Sequence, residues 1–425
     1  MSASTRRTRC AAVSAAVAVG GVLALIAADS SRAAPAGIVF HRAVDLRLPV
    51  GAQSAGLASA SCGGGGSCVL AGTYRAGSGV FPMVVPRSAG HWNRAARLLL
   101  PLKSSPTPDG QATAISCTRA GSCVAAGDYL KVRYVKGFTA TESHGVWRRA
   151  VEVKLPSNAR AASNVFIRGL ACTGPGNCVV AGDYSDIPGH HRIMAATEFK
   201  GRWQRAVELK APADASPIQP VYLNSLACSG LGSCVAVGSY ADTKFRPGAF
   251  AASESGGTWH QAIQLTLPRD ANRLDPQPSV VSVACSAAGS CVAVGSYIDR
   301  QGLVVPMSVT ESGGTWARAQ HVTAVPVNAT ARPRLTLSSV SCLRSGSCLA
   351  AGDYRIRSGG VAAMVMTRSG TRWTSASQIR TPPNGPTGDT HLAQAAAIGC
   401  SATGFCVIGG SYGTIRVQLP MAATS

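Results

Sequence analysis

Phe40-His-Arg-Ala-Val-Asp-Leu-Arg-Leu-Pro49 stands near the start of the chain, yet it restates two segments deep inside it. These are Trp147-Arg-Arg-Ala-Val-Glu-Val-Lys-Leu-Pro156 and Trp203-Gln-Arg-Ala-Val-Glu-Leu-Lys-Ala-Pro212. Each internal copy closes one unit of a long repeat, whereas the last unit, at the C-terminus, stops without a copy of its own. A chain that opens with the final strand of its final unit can pair its two ends. Such pairing removes the unpaired sheet edges that an open array would leave.

The repeat covers nearly all of the chain beyond this segment. Its clearest marks are cysteines in C-x5-C pairs: Cys62 with Cys68, Cys117 with Cys123, Cys172 with Cys178, Cys228 with Cys234, Cys285 with Cys291, Cys342 with Cys348, and Cys400 with Cys406. Successive first members lie 55 to 58 residues apart. An apolar run ending in tyrosine follows each pair, as in Cys234-Val-Ala-Val-Gly-Ser-Tyr240, and a tryptophan closes six of the seven units.

Each unit reads as four short strands. In the fifth these are Val280 to Cys285, Cys291 to Tyr297, Val304 to Glu311 and Thr315 to Val322. Val, Thr, Tyr and Trp enrichment between Gly, Ser and Pro punctuation favours strands, and no segment keeps a helical period. The second strands are apolar without alternation, as strands covered on both faces should be. Together these features predict an all-β, seven-bladed β-propeller of four-stranded blades over residues 37–425. In it the N-terminal strand completes the last blade. If C-x5-C spans a hairpin turn, the two sulfurs of each pair meet at bridging distance, so one disulfide per blade is expected. Metal binding fits poorly, because no histidine recurs with the spacing. Nothing in the sequence asks for a cofactor.

Arg6, Arg7 and Arg9 precede an uncharged run from Ala11 to Ala28, and Ala34-Pro35-Ala36 offers a cleavage site, so residues 1–36 read as a signal peptide. Cys10 would leave with it, making the cysteine count of the mature chain even. Secretion, no membrane span after cleavage and a compartment that preserves disulfides are the expectations. The formal charge of +21 makes a polyanionic partner electrostatically plausible.

The turns before the tryptophans read Ser253-Glu-Ser-Gly-Gly-Thr-Trp259, Thr310-Glu-Ser-Gly-Gly-Thr-Trp316 and Thr141-Glu-Ser-His-Gly-Val-Trp147. They resemble the Asp-box (BNR) turn of sialidase-type propellers, although they are one residue shorter and carry Ser255 or Ser312 at the aspartate position. More broadly, the chain is similar to secreted actinobacterial propellers built from S-C-x5-C-x-A-V-G units. The resemblance implies a related blade design. The sialidase tyrosine–glutamate nucleophile pair finds no counterpart here, because Glu142, Glu198, Glu254, Glu311, Glu152 and Glu208 all occupy repeated positions.

In a propeller, the disulfide hairpins and the Asp-box-like turns fall on one face. The loops after each tyrosine and the connectors between blades fall on the other, more variable face, where binding normally resides. Its candidate ligand-binding residues are Lys131, Arg133, Lys136, His191, Arg192, Lys244, Arg246, Arg300, Arg355 and Arg357. Asp128, Asp183 and Asp353 join them as possible acid/base groups at a channel mouth, with turn capping as the bland alternative. The leading reading is a non-catalytic monomeric scaffold that takes an anionic cell-wall polymer or polysaccharide. A carbohydrate-active hydrolase or lyase and a platform for another protein are the alternatives.

Overall fold

A computed structural model of the chain describes residues 38–385, 391–414 and 417–425. The expected signal peptide, Cys10 included, lies outside the described residues. Among those residues every regular element is a β-strand, and no helix is long and apolar enough to cross a membrane.

In the fifth unit the strands are Ser279–Ala287, Ser290–Ile298 and Val304–Ser312, followed by a fourth in two pieces, Thr315–Trp316 and Gln320–His321. All pair antiparallel in chain order. The first four units repeat this order, and the sixth has an unbroken fourth strand, Arg372–Gln378.

The break corrects the expectation of one run from Thr315 to Val322. The backbone N–H of Ala319 turns out of the sheet to the Thr266 carbonyl of the preceding unit at 2.8 Å. Ala95, Ala150, Ala206 and Ala262 make the same bond to Arg47, Leu99, Lys154 and Lys210. A ladder bond within the unit is thereby exchanged for one that ties neighbouring units.

The seventh unit contributes Leu392–Cys400, Cys406–Gly413 and Gln418–Thr424. The segment that restates a fourth strand then arrives from the other end of the chain, with Val44 opposite Ala422 and Asp45 opposite Met421. As in the first five units, an alanine reaches the unit before: Ala43 donates to the Arg380 carbonyl at 2.8 Å.

Buried apolar side chains lie between units more than within them. One cluster joins Val69, Ala71 and Val84 of the first unit to Ile115, Tyr129 and Phe138 of the second. Another joins Leu57, Leu70 and Met83 of the first unit to Val407 and Ala422 of the seventh. This explains the apolar second strands, which have a neighbour on each face and no solvent side to encode.

All seven C-x5-C pairs form disulfides within their own units, with Cα atoms 4.0 Å apart. Each pair stands directly opposite across the first hairpin, as Cys228 does to Cys234. The turn it fastens touches the turn before the tryptophan: Gly257 N–H donates to Gly232 O at 3.2 Å. Gly232 has φ +70°, and a Cβ there would meet Gly257 N at 2.7 Å, so glycine is required by both the turn and the contact. At the opposite ends of the strands, post-tyrosine loops meet connectors through the bridges Ala159–Asp186, Ala215–Asp242 and Ala271–Asp299. The expected sorting of loops is thus the observed one, giving a turn face and a connector face.

Candidate functional site on the connector face

The post-tyrosine loops of the third to fifth units each carry one aspartate, and each is turned inward. Asp242 Oδ1 accepts from the amides of Lys244 and Arg246 at 2.8 and 2.9 Å, and Asp299 Oδ1 from those of Gln301 and Leu303 at 2.9 Å. Asp186 Oδ1 likewise takes the Gly189 and His190 amides. Arg192 and Arg246 pair with the remaining oxygens of Asp186 and Asp242, Arg192 through Nε at 3.0 Å and Arg246 through Nη2 at 2.7 Å. Burial pushes the Asp186 carboxyl up, but Arg192 and the loop amides outweigh it and hold the group below its usual range. The Arg246 amide does the same for Asp242.

The candidate cations therefore divide. Lys131 is engaged by Glu152 at 2.7 Å, and Lys136 donates to Ser163 O at 3.0 Å. Arg300 and Arg357 reach backbone carbonyls of Arg269 and Ala329. Arg133, Lys244 and Arg355 are exposed. His191 lies beside Tyr222 with ring centres 5.8 Å apart, while His190 faces Asp186 at 3.5 Å. Among the described residues no group of three or more His, Cys, Asp or Glu side chains could hold a metal ion.

A central cavity of about 240 Å³ is lined by the first strands of all seven units. Each of these strands carries a β-bulge at one repeated position, occupied in turn by Ala58, Thr113, Arg168, Asn224, Val281, Ser338 and Ala396. A bulge leaves its extra residue unpaired and re-aims it. Thr113, Asn224 and Ser338 donate to the carbonyls of Ile167, Val280 and Ala395, just before the next unit's bulge. Arg168 is the one charged residue in this series.

One of the three candidate aspartates pairs with it, and a second feels its charge. Arg168 Nε lies 3.4 Å from Asp183 Oδ2, and Asp183 Oδ1 accepts from Leu223 N–H of the fourth unit at 2.7 Å. Asp128 accepts from Gln111 Nε2 at 2.9 Å, and its Oδ2 is buried without a partner. Burial raises both carboxyls to about 6 against the pull of Arg168. Asp353 stands apart, bonded to Thr336 Oγ1 at 2.8 Å. The three carboxylates bond across to first strands. Arg168 was missed by sequence reasoning, although it is the lone charge in a column four residues before the first cysteine of each unit.

Comparison with known proteins finds no matching family model and no matching curated relative. Solved structures do match. An α-L-arabinanase of Penicillium chrysogenum is 10% identical with a TM-score of 0.44, over 91% of this chain and 98% of that one. An ulvan-degrading polysaccharide lyase is 9% identical with a TM-score of 0.49, over 88% and 92%. The sialidase of Trypanosoma rangeli is 10% identical with a TM-score of 0.42, over 72% and 53%.

Proposed function

We propose that the protein is an exported scaffold whose residues 37–425 form a single closed seven-bladed β-propeller, and that its connector face captures an anionic extracellular polymer. The pairing of Val44 with Ala422 and the cavity shared by seven first strands support closure. Seven disulfides support an oxidising destination. One observation carries the binding reading: the loop aspartates turn their carboxylates onto their own amides, while Arg133, Lys244 and Arg355 remain exposed. The face therefore presents uncompensated positive charge at fixed positions on a rigid support, which steers and holds a polyanion.

The test is retention on immobilised dextran sulfate. A triple Arg133→Ala, Lys244→Ala, Arg355→Ala variant is expected to elute at clearly lower salt than the parent. A control losing Arg119, Arg202 and Arg344 from the turn face should elute nearer the parent. Equal elution of the two variants would reduce the effect to net charge and remove the assignment to this face.

Asp183 paired with Arg168, together with Asp128, both carboxyls pushed up to about 6 by burial, favours a second reading in which the bound polysaccharide is also cleaved by acid/base chemistry. New reducing ends or unsaturated products from the retained polymer, absent with Asp183→Asn, would establish it. An unchanged polymer would exclude it.

A further inference from the structure

Three clefts on the outer rim occupy the same place between different pairs of units. They measure about 860 Å³ between the second and third, 510 Å³ between the third and fourth, and 590 Å³ between the seventh and first. The preceding unit supplies equivalent wall residues, Thr141 and Val151 in one cleft and Thr197 and Val207 in the next. The following unit supplies a glutamate and a tryptophan, Glu198 with Trp203 and Glu254 with Trp259.

These two side chains are direct cross-strand partners, which places them together on one face of the sheet. Glu198 and Glu254 are 4% and 6% exposed, and the Oε2 atom of each has no hydrogen-bond partner. Trp203 Nε1 is orphaned too, while both indole rings are only half-buried. A buried carboxyl without a hydrogen-bond partner is costly, so such a group lining a cleft calls for a hydroxyl or amide from outside the protein. The third cleft differs. Arg87 replaces the glutamate beside Trp92, and it donates to Gly66 O at 2.6 Å and Gly90 O at 3.2 Å.

We propose that the clefts holding Glu198 with Trp203 and Glu254 with Trp259 are repeated binding sites for a neutral pyranose ring of a glycan. The C–H face of the sugar lies on the indole, and one hydroxyl donates to the edge of the glutamate carboxylate that lines the cleft. An aromatic plane beside a lone acceptor suits a ligand with one apolar face and a hydroxyl edge, and the cleft volumes are those of small-molecule sites. These sites are separate from the connector face and do not depend on it. Two such sites on one rigid ring would hold a branched or repeating glycan far more firmly than either alone.

The test is calorimetric titration of the full chain with methyl pyranosides of the common hexoses, with tryptophan fluorescence as a second readout. Saturable binding at both clefts is expected, and Glu198→Gln and Glu254→Gln should each remove one site, since the amide keeps the shape but replaces half the acceptor with a donor. Trp203→Phe, which retains an aromatic ring in the packing, should weaken one site several-fold. The Arg133→Ala, Lys244→Ala, Arg355→Ala variant should bind the pyranosides as the parent does. No saturable binding by any of these sugars, or binding untouched by both glutamate substitutions, would overturn the proposal and leave the orphaned atoms to buried water. Loss of pyranoside binding in the connector-face variant would move the sites there.

Discussion

Tyr412 donates its phenolic hydrogen bond to the carboxylate of Asp45, 367 residues earlier in the chain. The bond is the one that Tyr129 makes to Glu152 at 3.1 Å and Tyr184 makes to Glu208 at 2.9 Å, both within a single unit. Burial, with Asp45 adding to it, pushes the Tyr412 hydroxyl up to about 12, so it remains a donor at any neutral pH. The acid of the N-terminal strand thus fills a place that the seventh unit cannot fill from its own sequence.

Asp45→Ala leaves this hydroxyl with Asn384 alone, at 3.1 Å, and should destabilise the protein by about 1 kcal/mol. Deleting residues 38–48 should do far more, because it bares the edge of Gln418–Thr424. The expected product melts several degrees lower and self-associates on gel filtration. A truncated chain that stays monomeric with an unchanged Tm would contradict the pairing.

Gly399→Ala tests the same junction from the inner side. A Cβ there would lie 2.5 Å from the Ala60 carbonyl oxygen, so the last unit would be pushed from the first. Backbone cannot yield as a side chain does, and a loss of about 1–3 kcal/mol is expected from urea unfolding. Parental stability would mean that these two strands do not touch in solution.

Replacing Cys172 and Cys178 together by alanine should cost about 2 kcal/mol, since the loop closed by the bridge is short. The fold should survive, because the bridge fastens one hairpin and crosses no unit boundary. Non-reducing peptide mapping of the parent should recover only within-unit pairs. A peptide linking cysteines of two units would refute the pattern.

Asp128 titrates near 6 when folded and near about 4 when unfolded. The folded state therefore holds its proton through that window while the unfolded chain releases it, and stability must fall as pH rises across it. The fall should be about 2–3 kcal/mol for this group, and Asp183 should act in the same sense. Asp128→Asn should match the parent at pH 4 and exceed it at pH 7 in urea unfolding. A variant weaker than the parent at pH 7 would show that the ionised carboxylate is the favoured form.

Elements set by local pattern were legible in the sequence, and relationships between strands or between units were not. The cysteine pairs, the tyrosines and the Gly-Gly turns announced hairpins by spacing alone, because a strand pair and its turn are local. The interruption after Trp316 was not visible: the Ala319 amide leaves its sheet for an acceptor in another unit. The sequence grouped the loop cations after the tyrosines, yet the engagement of Lys131, Arg192 and Arg246 by carboxylates came only with coordinates. Arg168 shows the limit most clearly. A bulge has no strong sequence signature, so the column that faces the cavity could not be told from its neighbours.

By itself the sequence determined the repeat period, the hairpins that recur with it and the cysteine partners, since all of these follow from short-range pattern and from a period repeated seven times. It also marked Phe40 to Pro49 as a copy of a fourth strand, and that segment pairs with Gln418–Thr424. Only the tertiary structure decided which charges are engaged, that Asp183 pairs with Arg168, and that glutamate and tryptophan of one unit form a cleft with the unit before. Those relationships join side chains some 15 to 60 residues apart in sequence, on different strands or on strands of neighbouring units, and no local pattern records a distance between them.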